Sequence, residues 1–195
     1  VVEENAKITV YVSSGKTVQN VNAPSVTTMK LADAEKLLKD KKLIAEVEEV
    51  YYSKGSGYEY APVGYVIKQE PSSNSSIAEG STVKIYVNKG FSANITVSLP
   101  SDLQLEQYYI SLWEDGVAVA ESKMLDATQL SKYTFENVTS KRDSGTYTVK
   151  IRSASSNALD YQVITVDFKE GTAKRVSSFE DYKELDPTSS DENRN

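Results

Sequence analysis

Polar and apolar residues alternate along several short stretches of the first ninety residues. This two-residue period covers residues 7–12, 43–52, 63–69 and 82–87, and it predicts half-buried β-strands. Between the first two, apolar residues recur every three or four positions over residues ~30–41, which predicts one amphipathic helix. One helix packed on a three-stranded sheet makes a compact α+β unit.

From residue 91 onward the pattern contains strands and no helix. The predicted strands are Asn94–Leu99, Tyr108–Trp113, Val117–Glu121, Lys132–Val138, Thr146–Arg152 and Tyr161–Phe168. Glu114-Asp115-Gly116 is a tight hairpin signal between two of them. The fold class is therefore multidomain, with the α+β unit followed by an all-β sandwich.

The opening of the chain repeats the end of the α+β unit. At an offset of 75 positions, Glu4 falls on Glu79, Tyr11 on Tyr86 and Gly15 on Gly90. A strand and a glycine repeated at this spacing are typical of an array of modules. Residues 1–20 are thus predicted to be the last strand of a preceding copy with its linker. Arrays of small modules mostly bind or space other molecules.

The α+β unit carries a set of short motifs in a fixed order. Pro24-Ser25-Val26 comes first, then the helical segment 31–38, then Gly64–Pro71, Glu79–Val83 and Lys89-Gly90. This order closely resembles a PASTA domain, the module attached to penicillin-binding proteins and to receptor Ser/Thr kinases of Gram-positive bacteria. The resemblance covers residues 21–90, with residues 4–15 as the tail of a copy before it.

Three positions depart from the usual PASTA pattern. Thr28 and Lys42 stand where glycines are usual, and Lys30 stands where a Ser or Thr would cap the helix. A missing cap costs ~1 kcal/mol, and a non-glycine residue in a left-handed position costs a similar amount. We therefore expect this copy to be less stable than a typical one.

Two family patterns fit the sandwich region, predicted over residues 91–175. Asp143-Ser144-Gly145-Thr146-Tyr147 resembles the tyrosine corner of immunoglobulin domains, with Val149 at the position of the second cysteine and Trp113 as the buried tryptophan. The segment Tyr133–Val138 is also similar to prealbumin-like sandwiches of Gram-positive adhesins. An adhesin-type Lys–Asn isopeptide bond is disfavoured, because the first strand, Asn94–Leu99, contains no Lys. We predict an immunoglobulin-like sandwich, with the prealbumin-like topology as the open alternative.

Composition excludes several kinds of chemistry. The chain has no His and no Cys, so catalytic triads that use either residue and thiolate or imidazole metal sites are impossible. No catalytic carboxylate pair stands out, and we expect no enzyme activity, no metal and no cofactor in this segment. The formal net charge of −6 argues against a nucleic-acid partner. Membrane attachment is expected only through a segment outside this sequence.

Residues 176–195 are acidic and poor in apolar residues, which predicts a disordered tail. The tail is typical of a natural C-terminus. PASTA modules followed by one sandwich and a tail resemble the outer end of a receptor Ser/Thr kinase. With short linkers between the modules, we expect an elongated, jointed molecule.

Five residues are the candidate ligand-binding set: Lys54, Tyr58, Tyr60, Lys68 and Glu70. The tyrosines flank a Gly-Ser-Gly loop tip and could form an aromatic platform for sugar rings. Tyrosine is also simply common in β-strands, and exposed charged residues are the rule at protein surfaces. Lys68 and Glu70 could meet the charges of a stem peptide.

The resemblance implies a non-catalytic extracellular sensor on the surface of a Gram-positive bacterium. Its expected partner is peptidoglycan or its muropeptide fragments, and bound muropeptide would favour receptor clustering by ligand-dependent self-association. Two alternatives remain open. One is the C-terminal region of a penicillin-binding transpeptidase, and the other is a purely structural cell-wall stalk.

Overall fold

The computed structural model describes Val10 and residues 18–103, 105–127 and 130–185. In these residues no helix is long and apolar enough to cross a membrane. Apart from Val10, the strand predicted over residues 7–12 lies outside the described residues, and so does almost all of the preceding repeat copy. The last ten residues of the predicted tail do so too.

The first unit has the predicted α+β architecture. Its elements are β1 Asn20–Asn22, α1 Leu31–Asp40, β2 Ile44–Tyr52, β3 Val66–Glu70, β4 Ser76–Ala78 and β5 Thr82–Ser98. β5 lies between β2 and β3, parallel to β2 and antiparallel to β3, while β1 and β4 form a separate two-stranded ladder. Ala34 and Leu38 of α1 pack against the buried face of β5. One helix on a three-stranded sheet is confirmed.

The two positions that lack a usual glycine have left-handed backbone conformations. Thr28 has φ 64° and Lys42 has φ 58°. Lys42 follows α1 at the position where a Schellman motif places glycine, with Leu43 N donating to Leu38 O and Lys42 N to Lys39 O. At the other end of α1, Lys30 makes no side-chain capping bond. All three departures therefore fall at positions where the family pattern has a clear physical reason.

The second unit consists of two β-sheets that share one core. Its strands are β6 Gln107–Glu114, β7 Val117–Glu121, β8 Leu125–Asp126, β9 Lys132–Ser140, β10 Ser144–Arg152, β11 Leu159–Asp167 and β12 Thr172–Ser178. One sheet has the order β12-β11-β10-β6-β7, with β8 also paired to β6, and the second half of β5 pairs with β9 in the other. The β-rich character is confirmed, and the immunoglobulin-like assignment stays a prediction.

Trp113 does not fill the place that the immunoglobulin pattern assigns to it. It is half-buried, its Nε1 donates to Ser111 Oγ at 2.8 Å, and the Lys150 Nζ lies 5.0 Å from its ring centre. Alternate residues of a strand point to opposite faces, and here the inward residue is Leu112, which is fully buried opposite Val149. The prediction that Trp113 fills the core is therefore wrong: its neighbour Leu112 points inward instead.

The acidic C-terminal stretch is ordered further than its composition predicts. Strand β12 continues past residue 176 to Ser178, and Asp181–Leu185 form a 3-10 helix. Tyr182 and Leu185 are buried in the sandwich core, and Tyr182 contacts the Tyr161 ring edge-on at 5.0 Å. The Tyr182 hydroxyl also donates to Asp102 Oδ1 at 2.8 Å, and Lys183 Nζ lies 3.1 Å from Asp102 Oδ2, so burial and polar contacts together dock this charged segment.

No flexible linker separates the two units. β5 runs without a break for 17 residues, from the α+β sheet into the sandwich. The apolar cluster of the sandwich includes Tyr52, Ala61 and Ile67 of the first unit together with Phe91. The joint that the sequence predicts near residue 90 is therefore a packed contact.

Candidate functional site

The tyrosine-rich loop between β2 and β3 is divided between two environments. Its tip contains Gly55 and Gly57, both with positive φ. Before and after this tip, some side chains turn toward the sandwich and others toward the open face of the α+β sheet. The five candidate residues are accordingly separated into two groups.

Tyr60 and Lys54 form the first group and contact the sandwich. The Tyr60 hydroxyl donates to Asp143 Oδ2 at 2.6 Å, and the Lys169 Nζ lies 4.6 Å from the Tyr60 ring centre. Lys54 makes an ion pair with Glu170. The hydrogen bond to Asp143 and, to a smaller extent, desolvation raise the pKa of Tyr60 to about 12. These side chains hold the two units together.

An aromatic cluster lies behind these polar contacts. The ring centres of Tyr52 and Tyr60 are 5.6 Å apart, and each lies 6.1 Å from that of Phe91. Phe91 is the first residue of β5 beyond Gly90, so the cluster spans the boundary between the units. Aromatic pairs at such distances add to the stabilisation that burial provides.

Gly90 and Asn88 fix the backbone at this boundary. Buried Asn88 donates through Nδ2 to Ala61 O at 2.8 Å and accepts from Gly90 N at 2.9 Å. A methyl group on Gly90 would lie 2.6 Å from Ser140 O and 2.9 Å from Tyr51 Cε1. Only glycine fits here without displacing the sandwich backbone or the Tyr51 ring. The usual terminal glycine of the repeat thus has a packing role at this junction.

Tyr58, Lys68 and Glu70 form the second group, on the open face of the α+β sheet. Together with Tyr86 and Lys84 of β5 they make what we call the Tyr86 cluster. The Tyr58 and Tyr86 ring centres are 5.9 Å apart, and the Nζ atoms of Lys68 and Lys84 lie 5.1 and 5.2 Å from the Tyr86 ring centre.

Ion pairs connect the charges of the Tyr86 cluster. Lys68 Nζ lies 2.6 Å from Glu70 Oε1, and the Tyr86 hydroxyl donates to Glu70 Oε2 at 3.2 Å. Lys84 pairs with Glu48 of β2 at 2.7 Å. The hydrogen bond from Lys68, and then that from Tyr86, lower the pKa of Glu70. All these groups are at least partly exposed to solvent, so the pairs orient the side chains more than they stabilise the fold.

Sequence reasoning missed Tyr86 and Lys84 as members of this cluster. The signal was present in the alternation of β5, where Val83, Ile85 and Val87 are buried and the residues between them face the other way. In the sequence, Tyr86 stands out only as the counterpart of Tyr11 in the repeat. The cluster combines aromatic surface, two ammonium groups and one carboxylate, which suits a ligand that carries both sugar and charged peptide groups.

The first unit is similar to a known protein family. Residues 21–89 match the PASTA domain family. We call this unit the PASTA domain. The buried side chain of Gln69 shows how the ordered motifs cooperate in it, because Gln69 accepts from Val26 N at 2.8 Å and donates to Pro24 O at 3.0 Å. The motif that opens the PASTA domain is thereby tied to β3.

The remaining comparisons are distant. No curated protein matches this chain. Among solved structures, the chain is similar to a crystal structure of the entire extracellular region of the Ser/Thr kinase PrkC from Staphylococcus aureus, at 20% sequence identity and a TM-score of 0.32. The match covers 73% of this chain and 51% of that one, so the chain spans about half the length of that structure.

Within the described residues no group of three or more acidic side chains could hold a metal ion.

Proposed function

We propose that this chain is the non-catalytic extracellular sensor region of a membrane receptor Ser/Thr kinase, and that it binds peptidoglycan fragments through the Tyr86 cluster. The order of a PASTA domain followed by a β-sandwich supports a receptor kinase as the parent protein. The observation that carries the binding proposal is the pair of partly exposed rings, Tyr58 and Tyr86, flanked by Lys68 and Lys84. Tyr60 is also partly exposed, but its hydroxyl is bonded to Asp143 and the Lys169 ammonium group lies over its ring, so these groups of the sandwich already occupy it.

The chemistry of a muropeptide matches this cluster in two respects. A sugar ring can pack its apolar face against tyrosine, which offers contact area at low entropic cost. The carboxylate of a stem peptide can approach Lys68, while Glu70 can meet an ammonium group. An open face buries little of a ligand, so we expect a Kd in the ~mM to high-µM range, worth about 4–6 kcal/mol.

Weak single-site affinity is compatible with signalling when modules are repeated. Several PASTA copies along one receptor, or several receptors together, raise the effective affinity through avidity. In this mechanism bound muropeptide favours self-association of the receptor at the surface of a Gram-positive cell. Sedimentation velocity with and without a soluble muropeptide should show the ligand-dependent shift toward larger species.

The binding test is an NMR titration with a soluble disaccharide-peptide muropeptide. The amides of Tyr58, Lys68 and Tyr86 should shift, and both Tyr58→Ala and Lys68→Gln should weaken binding about fivefold or more, since each removes one contact worth roughly 1 kcal/mol. The control is Lys36→Gln, which makes the same charge change on the exposed face of α1. Affinity should also fall as salt rises.

A structural spacer is the second candidate function, and the packed junction favours it. Tyr60, Lys54 and the aromatic cluster hold the sandwich against the PASTA domain, as a stalk would require. Absence of any shift at millimolar muropeptide would support the spacer and contradict the sensor. Shifts confined to residues beyond 91 would place binding on the sandwich instead.

A further inference from the structure

Strand β7 forms one edge of the larger sheet of the sandwich. It pairs with β6 on one side, and among the described residues no strand pairs with its other side. β9 passes close to β7 at the corner of the sandwich, but the ladder of β9 is made with β5. An unpaired strand edge presents backbone N–H and C=O groups that can form hydrogen bonds with another strand. The outer edge of β7 can therefore accept a further strand.

The side chains of β7 lack the features that usually protect a sheet edge. Residues 117–120 are valines and alanines without a charge or a proline, and Val117 and Val119 are 64% and 40% exposed. The opposite edge of the same sheet is β12, which carries Lys174 and Arg175. Charged residues on an edge strand oppose pairing with another chain. Of the two edges of the larger sheet, β7 is therefore the one that permits pairing.

The sequence around β7 is complementary to itself in an antiparallel arrangement. A twofold axis at the centre of such a pair places one residue opposite its own counterpart. With Val119 at the centre, the two valines face each other, and Lys123 of each copy lies toward Asp115 at the hairpin turn of the other. With Ala118 at the centre, Asp115 would instead lie toward Glu121. Because opposite charges across a strand pair are favourable and like charges are not, the Val119 register is preferred.

Both charged residues of this register are accessible. Lys123 is exposed, and Asp115 is 80% exposed although it also pairs with Arg142 at 3.0 Å. With Ala120 at the centre, Lys123 would lie opposite Val117 and gain no ion pair. The charges around β7 therefore select the register centred on the exposed valine.

We propose that β7 pairs with β7 of a second copy of this chain, antiparallel and with Val119 at the twofold axis. The larger sheets of the two sandwiches then form one continuous sheet. A ladder of five residues on each side is smaller than the roughly 1,200 Å² of a stable interface, so the dimer is weak, with a Kd in the ~mM to high-µM range. The pairing itself needs no ligand. Its role as the contact through which bound muropeptide favours self-association rests on the proposed function.

Disulfide cross-linking of the whole chain tests the register, because the sequence contains no cysteine of its own. Oxidation of Val119→Cys should give a covalent dimer, since directly opposite Cβ atoms of antiparallel strands lie within reach of a disulfide bond. A mixture of Val117→Cys and Glu121→Cys should cross-link faster than either variant alone. The matched control is Val176→Cys on β12, where the side chain is 62% exposed. It should give at least about fivefold less dimer than Val119→Cys.

A second experiment measures self-association without a cross-link, by the concentration dependence of the β7 amide shifts and by sedimentation velocity. Val119→Lys should raise the dimer Kd at least about tenfold, because two ammonium groups would face each other at the axis. Val119→Thr keeps a β-branched residue and should stay within about twofold of the unmodified protein. Val176→Lys adds the same charge on β12 and should change nothing. An unchanged melting temperature of Val119→Lys would show that the sandwich remains folded, and Lys123→Glu gives a second, milder disruption.

Three results would overturn the proposal. The first is equal cross-linking of Val119→Cys and Val176→Cys, which would mean random collision. The second is self-association that persists unchanged in Val119→Lys. The third is the absence of concentration-dependent shifts in β7 up to about 1 mM protein, with or without muropeptide, a range that covers weak dimers.

The outcome for β7 is separable from the outcome for the Tyr86 cluster. Pairing through β7 without muropeptide shifts at Tyr58 and Tyr86 would contradict the proposed function and leave the dimer in place. Muropeptide shifts at these tyrosines, together with self-association that Val119→Lys does not weaken, would contradict the role of β7 and leave the proposed function in place.

Discussion

The PASTA domain and the sandwich differ in where their core residues come from. The PASTA core uses residues of its own domain, whereas the sandwich core also uses residues of the PASTA domain. The PASTA core is small and local, with α1 against β3 and β5. The sandwich core is larger, and it recruits Tyr52, Ala61 and Ile67 from within residues 21–90. The sequence boundary at residue 90 is therefore not the boundary of packing, and part of the PASTA domain depends on its neighbour for burial.

The largest expected effect tests the core of the sandwich alone. Leu112→Ala should lower the free energy of unfolding by about 2–5 kcal/mol, because it leaves a cavity opposite Val149. Trp113→Ala should cost clearly less, since that ring is half-buried on the outer face. Denaturant unfolding followed by circular dichroism compares the two. A larger loss for Trp113→Ala would contradict the register described for β6.

Gly90→Ala tests whether the two cores are coupled. The added methyl group would lie 2.6 Å from Ser140 O, so either the sandwich backbone or the Tyr51 ring must move, at a cost of about 1–3 kcal/mol. We expect the unmodified protein to melt in one calorimetric transition and Gly90→Ala to melt in two. Two transitions already present in the unmodified protein would show that the cores unfold independently.

Tyr60→Phe removes a single hydrogen bond across the junction. The loss should be about 0.5–1.5 kcal/mol near neutral pH, because the bond is short but the ring is partly exposed. The pKa of Tyr60 is about 12 in the folded protein and ~10 in the unfolded chain, so this contribution is present below pH ~10 and disappears as the pH rises toward about 12.

The measurement for this prediction is the difference in unfolding free energy between the unmodified protein and Tyr60→Phe at neutral pH and above pH ~10. Using the difference cancels the other tyrosines with raised pKa values, such as Tyr182. A difference that stays constant across this range would contradict the assignment of the stabilisation to the Tyr60–Asp143 bond.

The smallest effect is confined to the PASTA domain and has the opposite sign. Thr28→Gly should raise its stability by about 0.5–1 kcal/mol, since φ is 64° there and glycine relieves the left-handed strain at some entropic cost. The matched control is Thr27→Gly, one residue earlier and outside the set of positive-φ positions. If both variants behave alike in thermal unfolding, the strain is not what limits this domain.

Local pattern was sufficient to predict α1, most of the longer strands and the hairpin at Glu114-Asp115-Gly116, where Asp115 and Gly116 both have positive φ. It missed β1, β4, β8 and β12, and it divided the continuous strand β5 into two. The features that it predicted depend on neighbours in sequence. The junction depends on contacts between residues far apart, such as Tyr60 with Asp143, which no local period encodes. Sequence could identify the five candidate ligand-binding residues by their chemistry, but not how packing separates them. Tyr58 contacts Tyr86 on the open face of the PASTA sheet, whereas Tyr60 contacts Asp143 of the sandwich.

Strand β5 has a mechanical consequence. Its first half pairs with β2 and β3, and its second half pairs with β9. One continuous strand is therefore part of both domains. A pull applied along this segment would load the flanking ladder hydrogen bonds together in shear instead of peeling them apart one after another. Force applied along the chain would reach the sandwich through the same strand that carries Tyr86.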